Sequence, residues 1–258
     1  MAASDPTKPV AERLATLQRT LWRHPHRREI LRDLQALIAT VDEPGLDALR
    51  GKYAERMQKA SAASRYKYLD VVFHILQKLL LARELGLHKS PPRRVLDVGT
   101  GGGQLPFVCR FYGHQAVGID VKDAFYDGLS ACLDIERTTV RVEARTPLPD
   151  LGGRFDVITA CDIAFNEKRE GKARGIYWSP DDWQFFLNDL VAHQLRTPGT
   201  IYLKLNKEAR GRLLGFERRA YNREVLALAA RNGADISRWR GTIRLAFATP
   251  QAIVMDAG

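Results

Sequence analysis

The run Val95-Leu-Asp-Val-Gly-Thr-Gly-Gly-Gly-Gln-Leu-Pro106 constrains the fold of this chain more than any other stretch. Val95, Leu96 and Val98 form a short apolar segment of the kind buried in a parallel sheet. A glycine-packed turn follows, and apolar spacing resumes as a helix over residues 104–112. A second apolar strand, Ala116-Val-Gly-Ile119, ends in Asp120, close to the roughly 20 residues that separate a glycine loop from a ribose-binding acid. Strand, glycine turn, helix and acid-tipped strand together make the unit that holds a ribose-bearing cofactor.

Spacing discriminates among such cofactors. A dinucleotide loop, G-x-G-x-x-G, requires glycine at position 104 counted from Gly99, or at 106 counted from Gly101. Those positions hold Gln104 and Pro106, so the pattern fails. The pattern that fits is D-x-G-x-G-x-G, through Asp97, Gly99, Gly101 and Gly103. It resembles the first motif of class I S-adenosylmethionine-dependent methyltransferases, and the resemblance covers roughly residues 65–258. The resemblance implies S-adenosyl-L-methionine as cofactor and S-adenosyl-L-homocysteine as product. Asp97 would serve the ammonium side of the methionine part. Gly99, Thr100, Gly101 and Gly103 would let the backbone approach closely without a Cβ clash. Asp120 would accept both ribose hydroxyls, with Val121 beside it. The turn Glu143-Ala144-Arg145 would border the adenine, and Cys161 and Tyr68 would complete the set.

The rest of the chain reads as an N-terminal helical appendage, residues 1–64, followed by the methyltransferase domain, residues 65–258. Helical spacing runs from Val10 to Trp22, around residues 30–38, from Leu46 to Lys59 and from Tyr66 to Leu85, with Glu43-Pro44-Gly45 as a stop and Gly86 as a C-cap. From Arg93 strands and helices alternate. Strands are expected near 94–98, 115–120, 139–144, 155–160, 200–205, 243–248 and 252–256, and helices over 104–112, 123–134, 181–195 and 217–231. This pattern predicts an α/β fold: a Rossmann-like, mostly parallel seven-stranded sheet with helices on both faces, ending in a C-terminal antiparallel hairpin.

The residues after the fourth strand carry the candidate chemistry, Cys161-Asp-Ile-Ala-Phe-Asn166. Crevices at strand C-termini are where such sheets bind ligands. Asp162 is the leading candidate for a general base or a substrate-orienting acid, with Asn166 beside it, although a turn acid would look the same. No Asn/Asp-Pro-Pro-aromatic motif follows the strand, which disfavours planar amino groups as acceptors. Mg²⁺ would need Asp162 and Asn206 plus further oxygen ligands; Asp181 and Asp182 read instead as helix openers after Ser179-Pro180, so no metal site is assigned. The charged loop Glu167 to Arg174 reads as a lid.

Net charge is +10, and it is uneven: +6 over residues 1–90, −1 over 91–206 and +6 over 207–244, with Asp256 beyond. Such basic flanks suit an anionic partner or a solvated arginine-rich surface. There is no apolar run long enough to span a membrane and no signal-peptide layout, and the three cysteines lack metal-type spacing. A cytoplasmic methyltransferase acting on oxygen of a small molecule or glycan unit is the favoured reading. The alternatives are an RNA methyltransferase using the basic flanks, and a non-catalytic protein that only binds S-adenosylmethionine.

Overall fold

The computed structural model describes residues 4–59, 65–168, 176–213 and 216–255. The expected lid falls largely on 169–175, outside the described residues. Two compact units emerge, and the chain passes between them several times. One comprises Met1–Pro92, Thr100–Ala116 and Lys122–Arg137; the other comprises Arg93–Gly99, Val117–Val121 and Thr138–Gly258.

In the first unit lie α1 (Val10–Thr20), α2 (Arg27–Ile38), α3 (Glu43–Gln58), a 3₁₀ turn (Arg65–Leu69) and α4 (Val71–Glu84). α5 (Gln104–Phe111) and α6 (Ala124–Cys132) belong to it as well. The appendage helices therefore share a unit with α4, α5 and α6. Helix α4 is its centre, packing on α1, α2 and α5 through side chains such as Ile75, Leu76 and Leu79, all fully buried. Its N-cap is Asp70, whose carboxylate accepts from Phe73 N at 3.2 Å and Asp5 N at 2.7 Å and meets Arg13 Nε at 2.6 Å. Burial pushes this carboxyl above its usual range, while those hydrogen bonds and the Arg13 charge pull the other way. Glu43-Pro44-Gly45 does not stop a helix but starts one. Asp42 caps α3 by accepting from Gly45 N, and Pro44 sits in the first turn, where no intrahelical N–H is required of it. Gly86 ends α4 with φ +75°, as expected of a C-cap glycine.

The seven-stranded sheet contains β1 (Arg94–Val98), β2 (Gln115–Asp120), β3 (Arg137–Thr139) and β4 (Phe155–Ile163). After the short pair β5 (Glu167–Lys168) and β6 (Ile176–Tyr177) come α7 (Pro180–Asp189) and β7 (Leu195–Leu205). A hairpin of β8 (Glu208–Leu213) and β9 (Phe216–Ala220) precedes α8 (Arg223–Arg231), β10 (Asp235–Ser237) and β11 (Thr242–Phe247). Sheet order is β10-β11-β7-β4-β1-β2-β3. β1, β4 and β7 are parallel neighbours, and β11 is antiparallel to both β7 and β10. The expected mostly parallel sheet with a C-terminal antiparallel hairpin is present. In the second unit its core is built from Leu96, Ile158, Leu203, Ile243 and Trp183, all fully buried. The buried face of α7 carries Trp183, Phe186 and Leu187, each at most 3% exposed.

Three local expectations are corrected. The hairpin strands are β10 and β11, not 243–248 with 252–256. Residues 252–255 form no strand because side chains hold their backbone: Asn188 and Gln184 engage Ile253, and Asn232 pairs with Val254 N and O. The helix expected over 217–231 starts at Arg223, where Asn222 caps it by accepting from Glu224 N and Val225 N. The strand expected at 139–144 is instead the shorter, earlier β3; residues 140–144 form no strand, and Arg145 beyond them has φ +56°.

Candidate functional site

Chain order at the end of β1 gives Asp97, then the loop 99–103. Asp97 is 2% exposed and accepts from Thr159 Oγ1 at 2.7 Å, which locks its side chain at the point where β1 and β4 are in register. Gly99, Gly101 and Gly103 all have left-handed φ, of +75°, +59° and +80°. An L-residue is strained there, which is why the loop needs glycine. The glycines differ in their surroundings. A Cβ at Gly103 would come within 2.8 Å of Ile135, so this glycine is required by packing. A Cβ at Gly99 would meet nothing within 4 Å, so its open side faces empty space. Two buried polar atoms of the loop, Thr100 Oγ1 and Gln104 Nε2, have no hydrogen-bond partner among the described residues. Unsatisfied buried polar groups are rare and call for a ligand or water.

Asp120 closes β2. Its Oδ1 accepts from Val121 N at 2.7 Å, and its own carbonyl accepts from Val140 N at 2.9 Å. Within the first unit, Tyr126 lies 3.6 Å from the Cβ position of Gly101 and edge-on to Tyr68, with ring centroids 5.9 Å apart. The structure thus brings Tyr68 to the glycine loop through Tyr126, a residue the sequence reading missed. Asp123 N-caps α6 and pairs with Arg65, which fixes the start of that helix.

Of the turn expected near the adenine, Glu143 and Arg145 are exposed and Ala144 is half-buried. Arg145 reaches α7, pairing with Asp182 at 2.8 Å and Asp181 at 3.5 Å. Asp182 also completes a capping box with Ser179, so these acids open a helix, as expected.

At the end of β4 the register shifts between Cys161 and Ile163. Asp162 occupies the bulge with φ +56°, a conformation costly for a non-glycine residue. Asn206 holds it there: Asn206 Nδ2 donates to the carbonyls of Asp162 at 2.9 Å and Ile163 at 2.8 Å. The bulge turns the Asp162 carboxylate toward β7, where Lys204 Nζ meets it at 2.7 Å, with both side chains more than a third exposed. Cys161 is half-buried and registers with Lys204. Asn166 takes another course. It is 6% exposed and donates to Glu208 Oε1 at 3.0 Å, and Asn222 donates to the same oxygen at 3.3 Å. The buried Glu208 carboxylate and Lys204 are site residues that sequence reasoning did not assign. Neither carried a local signal in the sequence. Among the described residues no group of three His, Cys, Asp or Glu side chains is placed to hold a metal ion, and no helix is long and apolar enough to cross a membrane.

No family model matches the chain. A ribosomal protein L11 methyltransferase of Syntrophotalea carbinolica is 34% identical over 103 residues, which are 37% of this chain and 33% of that protein; the match spans about a third of the relative's length. Solved structures similar to this one include a SAM-bound amino pentose methyltransferase from Micromonospora echinaspora, with 18% identity, 65% of this chain and 89% of that chain covered, and a TM-score of 0.45. A S-adenosylmethionine-dependent methyltransferase from Clostridium acetobutylicum aligns at 12% identity over 65% and 88% of the two chains, with a TM-score of 0.44. The ribosomal protein L11 methylase from Lactobacillus delbrueckii subsp. bulgaricus gives 21%, 66% and 77%, with a TM-score of 0.41. The sheet, mostly parallel and with β11 reversed between β7 and β10, is Rossmann-like.

Proposed function

We propose that this chain is an S-adenosylmethionine-dependent methyltransferase that acts on an oxygen nucleophile. The observation that carries the reading is the segment 99–104: three left-handed glycines, an open side at Gly99 and two unsatisfied buried polar atoms, Thr100 Oγ1 and Gln104 Nε2. These residues fit the cofactor. Asp120 is the ribose acceptor and Asp97 serves the ammonium side. Thr100 and Gln104 have polar atoms to spare for the methionine part. Val121 and Cys161 are assigned to the cofactor as well, with Glu143, Ala144 and Arg145 on its adenine side. When bound, S-adenosylmethionine supplies an electrophilic methyl on a sulfonium.

The chain's own residues align the acceptor and handle its proton. Transfer to an acceptor oxygen, with the sulfur–carbon electron pair staying on sulfur, would leave the hydroxyl proton for a residue of the chain to take. Orientation is the protein's main contribution to such a displacement. Asp162, held in its bulge by Asn206, orients the hydroxyl and takes its proton, and Lys204 fixes the carboxylate in place. Asn166 acts at one remove, by holding Glu208.

A small molecule or glycan unit needs only these side chains. An RNA acceptor needs a surface as well, and one observation favours it: Trp239 is 92% exposed and flanked by two arginines. Incubating the protein with isotopically labelled S-adenosylmethionine and fractionated cell extract, followed by mass spectrometry, tests the proposal. Label in an O-methyl group supports it. Label on nitrogen or carbon overturns the oxygen assignment, and no labelled product from any fraction overturns the transfer.

A further inference from the structure

The turn Arg238-Trp239-Arg240-Gly241 joins β10 to β11 at the same end of the sheet as Asp162, which lies three strands away on β4. Thr242, the first residue after it, registers with Lys204, and Gly241 O accepts from Leu205 N at 2.9 Å. Lys204 in turn holds Asp162. Trp239 is 92% exposed, the most exposed of the large hydrophobic side chains of the described residues. The indole contributes nothing to the core and is open to a partner. Arg238 and Arg240 are both exposed and have no ion-pair partner among the described residues. Beneath the turn, Gly241 lies against the Tyr221 ring, and the Lys207 ammonium sits 5.5 Å from the centroid of that ring. Lys207 and Arg223 are exposed and likewise lack an acidic partner. Of the acids nearby, Asp162 pairs with Lys204 and Glu208 is buried under Asn166 and Asn222, while Asp235 and Glu224 are exposed, leaving cations in excess around the turn.

An exposed aromatic platform ringed by unneutralised cations is the chemistry that grips a single strand of nucleic acid. The rings stack on bases of any sequence, while the cations follow the phosphates. We infer that this turn is a docking surface for single-stranded RNA, which it presents to Asp162. RNA is chosen over DNA because the proposed reaction needs an oxygen nucleophile, and the ribose 2′-hydroxyl supplies one along the strand. The inference rests on the proposed transfer to oxygen and names its acceptor class.

Fluorescence anisotropy with a labelled 12-nucleotide single-stranded RNA, and with DNA of the same sequence, tests it across a KCl series. Trp239→Ala should weaken RNA binding by about tenfold or more, the loss expected for one stacked base. The double variant Arg238→Gln/Arg240→Gln should reduce the slope of log affinity against log salt by about 1.4, or ~0.7 per phosphate contact. All three residues are exposed, so unchanged melting temperatures check the fold, and calorimetry with S-adenosylmethionine should give wild-type affinity in each variant. Absent RNA binding, or equal affinity in wild type and both variants, overturns the inference; DNA of the same sequence should meet the same stacking and phosphate contacts but lacks the 2′-hydroxyl. If cofactor binds and RNA does not, only the docking surface falls. If RNA binds as described but S-adenosylmethionine does not, the surface stands and the methyltransferase reading falls.

Discussion

Two alanine substitutions in one loop should separate packing from ligand binding. Gly99 and Gly103 have nearly the same backbone, with φ of +75° and +80°, so the left-handed strain should cost each alanine variant about 1–2 kcal/mol. Their surroundings differ. At Gly103 the new methyl would stand 2.8 Å from Ile135 Cγ2 and 3.3 Å from its Cβ, both on a β-branched side chain with little room to yield. Overpacking of that kind adds about 1–3 kcal/mol, giving ~2–5 kcal/mol in total for Gly103→Ala. At Gly99 no atom lies within 4 Å, so strain is the whole cost to the fold. The open side is where the cofactor's methionine part is proposed to lie, so Gly99→Ala should lose at least tenfold in S-adenosylmethionine affinity while staying folded. Urea denaturation followed by circular dichroism reads the first effect, and isothermal titration calorimetry the second. If Gly103→Ala proves no less stable than Gly99→Ala, the packing argument is wrong. If Gly99→Ala binds cofactor like wild type, the loop does not make the close approach assigned to it.

Other substitutions probe single links of the account. Asp120→Ala should weaken S-adenosylmethionine binding by about 1–3 kcal/mol, because a charged acceptor is lost; an unchanged calorimetric affinity would remove its ribose role. Asp162→Asn should leave cofactor affinity intact and slow single-turnover transfer to the acceptor; equal rates would show that Asp162 handles no proton. His88 is held below its ordinary value of 6.5, first by burial and then by the charges of Arg83 and Lys89. The unfolded chain therefore takes up this proton more readily than the folded one. The stability it contributes is full above pH 6.5 and declines as pH falls through that value toward the lower folded one. Melting temperatures of wild type and His88→Gln should converge as pH drops across this window, and a constant gap would contradict the shift.

What the sequence made legible was local. The strand β1, the glycine loop, α5 and the acid at the end of β2 lie within one continuous segment, where apolar pattern and glycine spacing act over a few residues. Gly86 and Ser179-Pro180 marked helix ends for the same reason. The misreadings arose where distant groups decide. Pro44 looked like a stop because its Asp42 cap was not weighed. The terminal segment looked like a strand, yet asparagine side chains on α7 and following α8 take its backbone hydrogen bonds. Strand β9 was absorbed into the helix expected over 217–231, since arginine-rich residues such as Arg218 and Arg219 suit either state. In the candidate site, Asp97, Gly99 and Asp120 were readable from spacing. The Lys204–Asp162 pair spans neighbouring strands, and Asn166 meets Glu208 42 residues away, so neither contact leaves a periodic trace. The sequence also could not show that Asn206 pins a left-handed Asp162, because the bulge exists only once β4 and β7 pair.

Equilibrium titration of the purified chain with S-adenosylmethionine, and in parallel with NAD, tests the central claim most directly. The account predicts saturable one-to-one binding of S-adenosylmethionine and none of NAD, since the loop has Gln104 and Pro106 where a dinucleotide fingerprint needs glycine. Saturation by NAD, or no saturation by S-adenosylmethionine, would contradict it.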